Sequence, residues 1–226
     1  MTSRSPGPIA QVHPNLYDTG LNFVRLEDVK TPDFVLLALP TGASMEVAVR
    51  FLQAGARVID LGAAFRLQDR HTWERVYGQQ HAAWPLVHEA VYGIPELHEE
   101  RMRAARLVAN PGCFASAAIL GLAPLLKAGL VEAHCLVVDG LSGTAGAGAE
   151  FSRVMHHPEI GGNVVLYNVV GHRHTYEMEQ ELTGVANRGV RVHFTPCYVV
   201  ATSLFPLSGL VELSVSSYPT VLVPPA

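Results

Sequence analysis

Apolar and polar positions along this chain follow two periods, one of strands and one of helices. The run DFVLLALP at residues 33–40 is continuously apolar after its aspartate and ends at Pro40-Thr41-Gly42, the form of a strand buried on both faces of a parallel sheet. Beyond it Val47, Ala48, Phe51 and Leu52 share one helical face, Ser44 can cap the helix, and Gly55 stands where a left-handed terminal residue is needed. The segment RVIDL at 57–61 reads as the next strand, so residues 33–61 form one βαβ unit.

Residues 65–84 are polar and rich in charge and read as a surface excursion, after which VYGIPEL at 91–97 returns to the core. A short strand at 107–109 stops at the turn Asn110-Pro111-Gly112. Cys113 then opens a strongly apolar helix running to about Lys127, and Pro124 inside it should kink the helix or divide it. Residues 134–138 predict another strand, feeding a loop over 139–148 that holds four glycines. A helix is expected over 175–182 and a strand of a second sheet over 191–200. After Ser203 the periodicity fades, and 204–226 reads as strand or tail.

With 226 residues, 49% hydrophobic and 16% charged, the chain can bury the core of one large domain or two small ones. A net charge of -4 without a basic stripe leaves no electrostatic footprint for nucleic acid or an anionic membrane, so a small molecule is the expected partner. The opening MTSRSPGPIAQVHPNLY lacks the apolar stretch of a signal peptide, and no later run has the length of a membrane span, which predicts a cytoplasmic protein. Cys113, Cys135 and Cys197 are odd in number and widely spaced, against both a disulfide framework and a CxxC metal site.

A cysteine in the first turn of a helix, after Asn-Pro-Gly, sits where the helix dipole and unpaired backbone N–H groups stabilise a thiolate. The same N–H groups can hold an oxyanion, so the turn offers two catalytic contributions. Cys135, inside an apolar strand, reads instead as a buried structural thiol, and Cys197 has no helix start or charged neighbour to activate it. His172 and His174, just before a helix, are candidate acid–base partners of the thiolate. Together with His156 and His157 they could ligate zinc, but the i, i+4 spacing and an accompanying acidic or cysteine ligand are missing; His156-His157-Pro158 reads equally as a surface loop. The glycines of 142–148 let the backbone approach a phosphate or nicotinamide closely, yet no long apolar helix follows to receive a pyrophosphate.

These motifs stand in a recognisable order: Tyr92-Gly93-Ile94-Pro95-Glu96-Leu97, Asn110-Pro111-Gly112-Cys113, Ser142-Gly143-Thr144-Ala145-Gly146-Ala147-Gly148 and Gly171-His172-Arg173-His174-Thr175-Tyr176-Glu177. In that order the chain resembles the N-acetyl-γ-glutamyl-phosphate reductases of arginine biosynthesis, within the aspartate-semialdehyde dehydrogenase-like superfamily, over most of residues 8–200. The related reductases of carrier-linked α-aminoadipyl phosphate in lysine biosynthesis share nearly the same motifs. The resemblance implies an α/β fold in which a partial Rossmann-type parallel sheet, residues 1–112, is joined to an α+β catalytic and dimerisation domain, residues 113–226. It implies a homo-oligomer, dimer or tetramer, and NADP(H) as cofactor. Cys113 would attack the acyl phosphate, phosphate would leave, and hydride would reduce the thioester, with His172 or His174 as acid–base. Arg66 resembles a phosphate-binding arginine of the superfamily, and a planar bidentate donor suits that task. Asn110, Ser142 and Gly143 are implied at the substrate, and Pro40, Thr41, Ser142 and Gly143 at the cofactor.

The chain departs from the family in places. Family members begin with a strand, a GxxGxxG turn and a helix, and neither Gly7 nor Gly20 is so arranged; weak NADPH binding is the expectation for the sequence as it stands. Gly62 and Ala64 occupy positions where the family usually has Ser and Asp. Three rival readings follow: the carrier-linked reductase, a shortened non-catalytic homologue that pairs through an exposed strand edge, and a zinc protein. The scattered Arg101, Arg103 and Arg106 make no basic rim for an acidic carrier, which favours a free N-acetyl amino acid phosphate.

Overall fold

The computed structural model describes residues 5–148, 152–200 and 209–212. Near the start, β1 (Gly7–Pro8) and β2 (Asn22–Phe23) form a short antiparallel pair. The expected βαβ unit follows as β3 (Phe34–Leu37), α1 (Thr41–Gln53) and β4 (Arg57–Asp60). Next come α2 (Arg70–Tyr77), α3 (Trp84–Glu89), β5 (Val91–Tyr92), α4 (Pro95–Ala104) and β6 (Leu107–Ala109). The four strands make an all-parallel sheet of order β3-β4-β6-β5, with Val35 opposite Val58 and Ile59 opposite Val108. Leu37, Phe51, Val58, Trp73 and Leu107 fill its core.

The second half is built from α5 (Cys113–Lys127), β7 (Leu136–Gly143), α6 (His157–Ile160), β8 (Val164–Leu166), α7 (Arg173–Ala186), β9 (Val192–Val199) and β10 (Gly209–Glu212). Its mixed sheet has the order β10-β7-β9-β8, with β7 and β9 parallel and both outer strands antiparallel to their neighbours. Helices α5 and α7 pack on each other and on this sheet through Ile119, Leu122, Met178, Leu182, Leu136 and Phe194. Tyr92 and Ile94, on the edge of the parallel sheet, are buried in the same cluster, so the two halves share one seam.

Several sequence expectations are corrected here. Ser44 does not cap α1. The helix begins at Thr41 without a side-chain cap, and Ser44, one turn inside, donates to Asp60 Oδ1 at 2.6 Å. The polar stretch 65–84 is not a surface excursion, because Phe65, Leu67 and Trp73 are buried and Trp73 anchors α2 with its indole N–H donating to the Ala63 carbonyl. One buried tryptophan amid charges carries too little periodicity to be read as a helix.

Pro124 does not divide α5, which is one 15-residue helix; Leu120, whose carbonyl loses its partner, lies on the exposed side where water can replace it. The glycine loop is shorter than expected, since β7 continues to Gly143 and only Thr144–Ala147 forms a 3-10 turn. Gly140 makes this possible: a Cβ there would lie 2.7 Å from the Phe114 ring and 2.8 Å from the Phe194 ring. Cys135 precedes β7 and is exposed, not a buried strand thiol. The helix expected at 175–182 runs from Arg173 to Ala186 and ends at Asn187, which takes the left-handed conformation. Within 204–226, Gly209–Glu212 is a strand on β7 and the rest lies outside the described residues. The surface loop read at 156–158 includes the start of the short helix α6. Among the described residues no helix is long and apolar enough to cross a membrane.

Candidate active site

Cys113 is the first residue of α5, following Gly112, whose extended backbone (φ -71°, ψ 150°) turns the chain out of β6. The thiol is exposed and lines a cavity of about 550 Å³ with Phe114, Ser142, Tyr167, His172 and His174. The structure thus brings the candidate nucleophile Cys113, both imidazoles and Ser142 to one cavity. Cys197 is buried in β9, where burial pushes its thiol up.

The imidazoles are set by the start of α7. His172 is the N-cap, and its Nδ1 accepts from the His174 backbone N–H at 3.1 Å, which places the neutral ring's proton on Nε2. The two rings lie 4.7 Å apart, edge to face. Burial, with the neighbouring His174 and Arg173, pushes His172 down to about 4. Burial, with Arg66 and Arg173, pushes His174 down to about 3. Both rings are therefore neutral near pH 7 and able to accept a proton.

Behind the cavity lies Glu177, fully buried, which the sequence reading quoted within a motif but gave no role. Its Oε2 accepts from the Tyr92 hydroxyl at 2.7 Å and the Gly112 N–H at 3.0 Å, and its Oε1 pairs with Arg66 at 3.2 Å. His174 Nε2 is 3.9 Å from the same Oε1. That carboxylate does not hold His174 charged, because its own charge is already matched by Arg66 and two further donors. Its position three residues after His174 on one helix is the sequence signal that could have marked it.

Arg66 is 7% exposed and does not line the cavity. Its Nε donates to the Asn110 carbonyl at 2.7 Å and its Nη2 to the Leu61 carbonyl at 3.1 Å, besides the pair with Glu177. Asn110 also belongs to the turn, its N–H bound to the Asp60 carbonyl and its side-chain amide to the Pro111 carbonyl. Asp60, buried at the end of β4, accepts from the Gly62 and Ala64 N–H groups and so shapes the loop leading to Arg66. Gly143 follows Ser142 at the end of β7, where its carbonyl accepts from Ser142 Oγ at 3.2 Å. Pro40 and Thr41 sit at the junction of β3 and α1 and do not line this cavity.

For a nicotinamide ring the wall of Ser142, Gly146 and Ala147 is small and mostly backbone. A Cβ on Gly146 would lie 2.6 Å from Ser142 Oγ, so a side chain there would crowd that hydroxyl or turn it to another rotamer. The residues present fit that end of such a cofactor. Among the described residues no three His, Cys, Asp or Glu side chains converge as a metal site.

Two family models match the chain in succession. The semialdehyde dehydrogenase NAD binding domain covers residues 2–105, and the semialdehyde dehydrogenase dimerisation domain covers residues 113–203. The N-acetyl-gamma-glutamyl-phosphate reductase of Symbiobacterium thermophilum is 48% identical over 171 residues, 75% of this chain and 49% of its own. That of Methanopyrus kandleri is 45% identical over 194 residues, 84% of this chain and 55% of its own. The [LysW]-L-2-aminoadipate 6-phosphate reductase of Deinococcus radiodurans is 42% identical over 178 residues, 78% of this chain and 51% of its own. The chain thus spans about half the length of the curated relatives it matches. Among solved structures, aspartate semialdehyde dehydrogenase II from Vibrio cholerae shares the fold with a TM-score of 0.55 at 16% identity, over 79% of this chain and 55% of that one. With a parallel α/β sheet joined to a mixed sheet, and the motifs of both halves in order, the chain belongs to the N-acetyl-γ-glutamyl-phosphate reductase family of the aspartate-semialdehyde dehydrogenase-like superfamily.

Proposed function

We propose that the protein carrying this chain reduces N-acetyl-γ-glutamyl phosphate to the semialdehyde, with NADPH as reductant and Cys113 as acyl carrier. The observation that supports it best is the sharing of one cavity by a helix-terminal thiol and two neutral imidazoles. An imidazole of His172 or His174 takes the thiol proton, sulfur bonds to the acyl carbon, and the carbon–oxygen bond to phosphate breaks with its electron pair going to the leaving phosphate. First-turn N–H groups of α5 stabilise the oxyanion formed on the way. The nicotinamide cofactor, when bound, supplies the hydride that reduces the thioester. The imidazolium gives its proton to the oxyanion of the reduced adduct, and the hemithioacetal so formed collapses by passing that proton back to the imidazole, releasing the aldehyde and returning the thiolate.

Ser142 and Gly143, with Pro40 and Thr41, would hold the cofactor, residues 1–112 forming its half of the molecule and 113–226 the catalytic and dimerisation half. Arg66 and Asn110 serve the substrate through the turn that presents Cys113. A cytoplasmic homo-oligomer is the expected form. The free substrate is preferred to a carrier-linked one because Arg103 is paired with Glu99 and Arg106 with the Leu52 carbonyl, so that of these three arginines only Arg101 is left open, too little for a basic rim. Mixing the protein with N-acetyl-γ-glutamyl phosphate in the absence of NADPH should leave an acyl adduct on the Cys113 peptide by mass spectrometry. An unmodified peptide, or acylation by the carrier-linked α-aminoadipyl phosphate alone, would refute the reading.

A further inference from the structure

The cavity at Cys113 contains a cation to which neither the motif reading nor the proton-transfer scheme gives a role. Among the described residues that line it, Arg173 is the one Lys or Arg side chain. It is exposed and forms no ion pair with the described carboxylates, whereas Arg66 is buried and committed to Asn110, Leu61 and Glu177. On the same lining stands Tyr77, delivered by α2, whose hydroxyl is buried without any hydrogen-bond partner. A phenol is seldom left unpaired in a fold, and an unsatisfied hydroxyl on a residue that lines a cavity points to a ligand atom that completes it.

We propose that Arg173 and the Tyr77 hydroxyl form an oxyanion-holding wall in the Cys113 cavity, and that the group they take is the phosphate of the substrate. The identity of that ligand rests on the reductase reading; the anion site itself rests on the two side chains. A guanidinium offers paired N–H donors to two phosphate oxygens, and the phenol adds a third donor. Burial pushes the Tyr77 hydroxyl well up, so it keeps its proton and acts as donor at neutral pH. Arg173 adjoins His172 and His174 in sequence, so phosphate held there lies beside the groups that receive the thiol proton. Arg66, fixed within the fold, then orients the turn while Arg173 meets the ligand.

Protection of Cys113 from iodoacetamide by inorganic phosphate tests this, with the modified peptide followed by mass spectrometry and chloride at equal ionic strength as reference. Saturating phosphate should slow alkylation of Cys113 by about fivefold or more while leaving Cys135 in the same sample unaffected. Arg173→Gln should abolish the protection, Arg173→Lys should keep part of it, and Tyr77→Phe should weaken it. Protection that survives Arg173→Gln, that chloride reproduces, or that is missing in the parent protein overturns the proposal. The two readings fail differently. If the acyl phosphate leaves no adduct on Cys113 while phosphate still protects through Arg173, the anion site stands and the reductase reading falls; if the adduct forms and protection ignores Arg173, the reverse holds.

Discussion

The imidazole of His174 packs so closely over Gly112 that a Cβ on that glycine would overlap the ring. The residue before Cys113 therefore has to be glycine for His174 to occupy its place. Gly112→Ala should push the ring aside and strain the turn, at a cost of about 1–3 kcal/mol in urea unfolding. Formation of the acyl adduct on Cys113 should be lost with it. A variant of unchanged stability and reactivity would show that the contact does not govern the site.

The three thiols should separate by reactivity. Cys113 and Cys135 are both exposed, so a difference in their alkylation rates reports chemistry and not access. Cys113, in the first turn of α5, should react with iodoacetamide near neutral pH well before Cys135. Cys197, buried and with its thiol pushed up, should be the slowest. Equal rates at Cys113 and Cys135 would remove the helix terminus as an activating device.

Acid should weaken the fold through the two imidazoles that line the Cys113 cavity. His172 and His174 are held down to about 4 and about 3, below the usual histidine value, so in the range from there to about 6.5 the unfolded chain binds more protons than the folded one. Stability from these groups is complete above about pH 6.5 and is lost as the pH falls, by about 2 kcal/mol for each ring at pH 5. Melting temperatures between pH 7.5 and 5 should show the slope, and His174→Asn should flatten it. On the reductase reading, His174→Asn or His172→Asn should cost about 10²–10⁴-fold in turnover for whichever ring moves the proton.

Tyr92→Phe removes one of the donors to Glu177 without changing the ring that packs on α5 and α7. Leaving a buried carboxylate oxygen short of a donor should destabilise the protein by about 1–3 kcal/mol in denaturant titration. Glu177→Gln, which keeps the shape but gives Arg66 a neutral partner, should cost at least as much.

Local patterns were the most legible part of the sequence. The unit at 33–61 was legible because an apolar run, a 3.6-residue stripe and Gly55 agree, and Cys113 was legible because a glycine turn and an apolar helix start meet there. Arg66 and Glu177 are 111 residues apart, and no period or cap signals such a pair. The helix at Trp73 escaped for another reason: its anchor is a single indole held by the Ala63 carbonyl and packed on Tyr77 and His81, which makes no apolar stripe in the sequence. Likewise, the extension of β7 through Gly140 depends on Phe114 and Phe194 closing over it, which makes a strand of what composition alone marks as loop. The exposed Cys135 was misread by two residues, since the strand starts at Leu136.

Glu177 belongs to α7, while Arg66 and Tyr92 come from the half that holds the parallel sheet. Prying the halves apart at this point would strand a carboxylate, a guanidinium and a phenol in the same event, so the seam yields as one cooperative unit instead of fraying bond by bond. The amide of Gly112, whose proton is given to that carboxylate, should accordingly be among the slowest to exchange with solvent, and its exchange should quicken together with that of the amides in the middle of α7.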